Sequence, residues 1–329
     1  MNAGQATIEW LYKDQLQVDD EWAVRTPHGF RWWADKHAQT VEVVGQDFDD
    51  ELGQAGYLVA VRTELLRGVE ASEDNLRMLN EAFLQTASLS GPVYDAGTGT
   101  LTLCSLAWTT DDISRWMERE LSMAAALQLG EAFFVAPALA GMLGAELAVS
   151  GHPQNGVRPE PDELVVVVPQ LVIPQGRETA RWTAEEFRDA FGEDAGEDFA
   201  CPQYLDGNAL VFNYALGDRE VTCHLRGDVA HPGYGHGLLF LQSFGDLPGS
   251  EADGVRLALA LNELELVTEP RGYGFGSYCW RDGQLFFSAF FPNAMHDAVS
   301  LRNLFMSCVA RAKAMGGSIE RLARGGGGG

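Results

Sequence analysis

The sequence predicts an α+β fold made of a duplicated domain, and three observations carry that expectation. Two stretches about 180 residues apart, "VYDAGTGTLTLCSLAW" and "WRDGQLFFSAFF", each set an acidic-plus-glycine turn between apolar strands and then run into a helical pattern. The doublets Leu79-Asn80 and Leu261-Asn262 stand at matching places in the helical segment ahead of each turn. The order of hydrophobic periods from Gly56 is the same as that from Gly237. Together these describe a duplicated α-β-β-β-α-β-β-α domain, with antiparallel sheets, helices packed on one face, and the two copies forming a pseudo-dimer.

The second copy reads more clearly. "RWTAEEFRDAFG" has Trp182, Phe187 and Phe191 at helical spacing, with Thr183 placed to cap it. "ALVFNYAL" and "EVTCHL" flank Gly217-Asp218 as two strands about a tight turn, and "GLLFLQSF" is a third strand. "SEADGVRLALALNELEL" opens with a serine cap and an acidic first turn, as a helix does. "GFGSYCW" and "QLFFSAFF" make a hairpin, since Asp282-Gly283 suits a type I′ turn. Asn293 then stands where it would cap the last helix, "AMHDAVSLRNLFMSCVARAKAM".

In the first copy "FRWWA", "TVEVVGQ" and "GYLVAVRTELL" read as strands, and "TIEWLYKDQL" is the segment available for the opening helix. "ASEDNLRMLNEAFLQTA" is the middle helix with Ser72 as cap, and "GPVYD" with "TLTLCSLAW" is the hairpin. "TTDDISRWMERELSMAAAL" is the closing helix, capped by Thr109 or Thr110. The expected organisation is a first domain at 1–127 and a second at 178–315, followed by a flexible glycine-rich tail at 316–329. Between the domains, 128–177 holds an extra Ala/Gly-rich helical segment (Glu131 to Val149), a Pro/Gly linker (Ser150 to Glu163) and "LVVVVPQLVIP". Two prolines make the last an edge strand or extended connector.

Bulk composition narrows the function. The 329 residues are 46% hydrophobic and 21% charged, as in a folded globular protein, and the net charge is −24. Such acidity argues against nucleic-acid binding and against docking on an anionic membrane; it serves solubility, or else suits a basic protein partner. The N-terminus "MNAGQATIEWLYKD" lacks the pattern of a secretory signal, and five scattered cysteines without CxxC spacing read as reduced thiols, so a cytoplasmic protein is expected. The apolar run Glu131 to Leu147 is too short to span a bilayer by itself.

The element order, the two Leu-Asn doublets and the turns at Asp95 to Gly97 and Asp282-Gly283 resemble the type III secretion chaperone-like superfamily that includes the YbjN proteins. The pattern covers roughly 28–127 and 178–315. The resemblance implies an α+β domain that binds an extended client segment across apolar patches and uses no cofactor. Two copies in one chain, and the extra segment 131–149, depart from the single-domain members of that family.

Candidate residues follow from these readings. Adjacent strand residues face opposite ways, so of Trp32-Trp33, Phe286-Phe287 and Phe290-Phe291 one member each can fill the core while the other meets either the partner copy, in a sheet buried on both faces, or a client. These six are the expected protein-binding residues, and segment 131–149 is the expected homo-oligomer contact. The alternative is a small-ligand or metal site, with or without catalysis, in "CHLRGDVAHPGYGH", where Cys223, His224, His231 and His236 crowd together. Its spacing matches no HExxH or CxxC pattern, and the acidic loop "QDFDDE" lacks the calcium-loop series. "GYGFG" enters a strand and not a helix, and there is no GxSxG or P-loop. Neither catalysis nor a cofactor or metal is therefore expected.

Overall fold

Asn2 starts the chain's first helix, its Oδ1 accepting the Gln5 amide at 2.8 Å in front of α1 (Ala3–Trp10). The computed structural model describes residues 2–49, 53–172, 182–191, 203–205, 207–216 and 219–325. After a π turn at Leu11–Gln15 come β1 (Ala23–Thr26), β2 (Gly29–Trp32), β3 (Gln39–Asp49) and β4 (Gln54–Arg67), a meander with one strand more than the hydrophobic pattern shows. α2 (Glu73–Gln85) begins at the expected cap, with Ser72 Oγ accepting the Asn75 amide at 3.2 Å. β5 (Gly91–Asp95) and β6 (Thr100–Thr109) form the first hairpin. α3 (Ser114–Gly130) starts later than its sequence suggests and has no side-chain cap. Thr109 ends β6, and its hydroxyl lies buried 3.4 Å from that of Thr7.

α3 does not stop at Gly130. Pro137 has no N–H to offer the turn before it, and the chain widens into a π turn at Glu131–Val135 before resuming as α4 (Ala136–Leu143), which Gly144 ends at φ 62°. Joined in this way, Ser114–Leu143 is long and apolar enough to cross a membrane. Of its most apolar 18-residue window, 67% is buried inside the protein, as befits a core helix. β7 (Glu146–Leu147) then pairs with β4.

The "LVVVVP" stretch is a helix, α5 (Glu163–Val172), and not a strand or an extended connector. Asp162 Oδ1 caps it by accepting the Leu164 amide at 3.0 Å, and Val165 and Val168, three apart, are buried while Val166 is exposed. Helical spacing of the two buried valines outweighed β-propensity and the interior Pro169. Residues 173–177 lie outside the described residues.

In the second half, α6 (Ala184–Phe191) has a reciprocal cap, the Glu186 amide donating to Thr183 Oγ1 and the Thr183 amide to Glu186 Oε2. β8 (Gln203–Leu205), β9 (Ala209–Leu216), β10 (Arg219–His231) and β11 (Gly235–Asp246) follow, the β9–β10 turn lying outside the described residues. α7 (Glu251–Glu263) carries the full capping box of Ser250 and Asp253. β12 (Ser277–Arg281) and β13 (Gln284–Pro292) turn at Asp282 (φ 51°) and Gly283 (φ 82°), the conformation expected of that dipeptide. Asn293 begins a short 3-10 turn, and α8 (Ala298–Gly325) starts only beyond it.

The class is α+β with antiparallel sheets. One sheet runs β1-β2-β3-β4-β6-β5 with β7 at its side; the other runs β12-β13-β11-β10-β9-β8, the same order of strands read in reverse. Two compact units divide the chain: 1–75, 90–168 and 265–275 in one, and 76–89, 169–264 and 276–329 in the other. Each unit therefore holds a segment from the opposite half of the sequence. In the first, the 265–275 segment lies on β6, with Tyr273 bridging Ala107 and Trp108 Nε1 donating to the Arg271 carbonyl at 2.8 Å. In the second, α2 reaches β12 through Asn80.

That placement gives the Leu-Asn doublets their role. β12 is an edge strand, so the backbone groups of alternate residues have no strand partner. Asn262 closes one pair, its Oδ1 accepting the Tyr278 amide at 2.7 Å and its Nδ2 donating to the Tyr278 carbonyl at 3.0 Å. Asn80 does the same two residues on, with the Trp280 amide at 2.7 Å and the carbonyl at 2.8 Å. Leu79 and Leu261 beside them are fully buried.

The first unit also buries a polar chain. Trp32 Nε1 donates to Gln39, Gln39 Nε2 to Thr63, Thr63 to Gln128, and Gln128 Nε2 to Ser105, whose hydroxyl meets that of Ser90. The links tie β2, β3, β4 and β6 to α3 in one register, and a satisfied network of this kind specifies packing more than it adds stability.

Candidate functional surface

Five of the six aromatic residues expected at a client surface lie in the core. Trp32 is fully buried, and Trp33 is only 3% exposed although it points away from Trp32. The stretch read as linker, Ser150 to Glu163, accounts for Trp33. Ser150 Oγ accepts the Trp33 indole N–H at 3.0 Å, and the His152 ring meets Trp33 edge-on at 5.1 Å. Arg158 donates to the Trp33 carbonyl and to the Asp162 carboxylate, which locks this strap in place.

β13 is likewise covered on both faces. Phe287 lies beneath the Arg311 guanidinium of α8, 3.5 Å from the ring centroid, and edge-on to Tyr278. Phe290, on the opposite face, packs against the His231 ring, and Phe291 is buried too. Phe286 is half-buried. The side chains alternate along the strand as expected, but both faces meet the protein itself, so the five buried aromatics are packing residues in this conformation and not client contacts.

The histidine-rich hairpin does not converge either. Cys223 and His224 sit mid-strand on β10, and His231 is seven residues further on, some 20 Å along an extended chain. Cys223 points into the core toward Cys308, while the exposed His236 Nδ1 bonds Asp228 at 3.0 Å. His231 accepts the Gly233 and Tyr234 amides on Nδ1 and stacks on Tyr234; burial pushes its pKa down to about 4. Burial, with Arg226 nearby, also lowers the His224 pKa. Among the described residues no group of three or more His, Cys, Asp or Glu side chains is placed to hold a metal ion.

Among the described residues, one apolar face left in solvent is that of the π turn and α4. Ala132, Ala136, Leu139, Ala140 and Leu143 face inward. Phe134 (51% exposed), Val135, Ala138 and Met142 (56%) face solvent, spaced so that they share one side, with Phe133 set edge-on to Phe134. Pro137 is the cause: the wider turn it imposes brings Phe134 and Val135 outward together. Between Arg119 and Arg158 the chain has no lysine or arginine; of its three glutamates there, Glu146 is exposed, Glu131 half-buried and Glu120 buried. The sequence marks this segment as apolar, but not which side of it is covered.

No protein-family profile, curated protein or solved structure matches this chain.

Proposed function

We propose that the chain is a non-enzymatic, chaperone-like or adaptor protein that binds a segment of a client protein, and that the client docks on the face formed by Phe134, Val135, Ala138 and Met142. The observation that carries this reading is the apolar side of α4 left in solvent while five of the six expected aromatics are sequestered. Charge supports the chemistry of the client: an acidic chain, with no cation in the sequence on either side of the face, favours an amphipathic segment flanked by lysine or arginine. The resemblance of the element order to secretion-chaperone-like proteins points the same way, by analogy of fold.

The test compares the wild type with a Phe134→Glu, Met142→Glu double variant. Both positions are more than half exposed, so the variant should unfold at the wild-type denaturant midpoint. Immobilised on beads in native extract, the wild type should retain a stoichiometric basic partner that the variant loses. Retention of the same partner by both would move the binding surface elsewhere.

A further inference from the structure

Cys223 lies near the middle of β10 and Cys308 within α8, and their sulfur atoms are 3.2 Å apart with neither residue exposed. We propose that this pair is an oxidation site, a dithiol that closes to an intrachain disulfide when the protein meets a peroxide. The two sulfurs are held together by structure on both sides. Cys223 is fixed by pairing with Phe212 on β9 and Gln242 on β11. The same Gln242 donates its Nε2 to the Cys308 carbonyl at 3.1 Å, so one side chain sets the helix against the strand at the thiol level.

The remaining cysteines are placed differently. Cys104 Sγ faces the Leu266 carbonyl and Cys279 Sγ faces the Ser277 hydroxyl, whereas Cys201 lies outside the described residues. One turn along α8 from Cys308, the buried Arg311 brings a positive charge to the pair. Burial, and then the neighbouring Cys308, raise the Cys223 pKa; Arg311 lowers it by less. Both sulfurs are also shielded from solvent while α8 is docked, so the first step waits on local opening of that helix. In that step one thiolate attacks a peroxide oxygen, the O–O bond breaks, and a sulfenic acid and hydroxide result, the hydroxide taking up the proton that the thiol released to become water. The second thiolate then attacks the sulfenic sulfur, the S–S bond forms, and the oxygen leaves as hydroxide, which the second thiol's proton completes as a second water. Two thiols and one hydrogen peroxide give one disulfide and two waters. The product ties residues 85 apart in sequence and pins α8 to its sheet.

Reduced full-length protein is incubated with hydrogen peroxide, quenched, alkylated in denaturant and digested for peptide mapping. The expected result is a Cys223–Cys308 linked peptide, with Tm raised on the order of 10 °C and restored by reductant. The Cys223→Ser variant should leave Cys308 free to alkylate and show no shift. Recovery of Cys223 and Cys308 from oxidised wild type as separate alkylated peptides, or either linked to another cysteine, would overturn the proposal. That readout needs no variant to fold, and it is independent of whether a client docks on α4.

Discussion

Single residues fix the second sheet's open edge. Asn80 and Asn262 each supply both halves of a backbone pair, so replacing either by alanine strands an amide and a carbonyl in the core. Asn80→Ala and Asn262→Ala should each cost about 2–4 kcal/mol in urea unfolding, and the double variant should show non-additivity, because both act on one short strand. The sequence displays these asparagines as a repeated doublet but cannot show what they bond, since the strand lies 200 residues from Asn80. His231 gives a second test at this scale. With a pKa near 4 in the fold and 6.5 as its ordinary value, it leaves the unfolded chain binding more protons between those limits. Stability should fall as pH drops from 6.5 toward 4, by roughly 1–2 kcal/mol once solvent screening of the partly exposed ring is allowed for. His231→Gln should flatten that part of the curve; an unchanged slope would assign it to other groups.

At the scale of elements, what was legible was whatever local chemistry dictates. The caps at Ser72, Thr183 and Ser250 and the turn at Asp282-Gly283 are spelled by side chains that act on their own neighbours. α5 was not legible, because four consecutive valines carry strand propensity and only the tertiary burial of Val165 and Val168 selects a helix. Trp33 was misplaced for a related reason: its cover comes from Ser150 and His152, more than a hundred residues away, in a stretch whose prolines and glycines suggest a linker. The candidate face was legible as an apolar segment and no further, since which side of that helix the rest of the chain covers is settled by contacts distant in sequence. Close approach of elements can be tested at Gly254, where an added Cβ would sit 2.0 Å from the Trp280 ring. Gly254→Ala should lower stability by about 1–3 kcal/mol despite the better helix propensity of alanine. A more stable variant would show that α7 can shift away from β12 without loss.

At the scale of the whole chain, two sheets of matching strand order each have a buried core and a segment borrowed from the other half of the sequence. On the proposed reading, the apolar face on α4 is where a partner docks. The most direct measurement places a photo-crosslinking amino acid at Ala138, in the middle of that face, and at Val166 on the exposed side of α5 as a control. Irradiated in native extract, the Ala138 probe should join stoichiometrically to one protein, through an apolar segment flanked by lysine or arginine, and the Val166 probe should not. Equal labelling from both positions, or none from Ala138, would contradict a docking role for this helix.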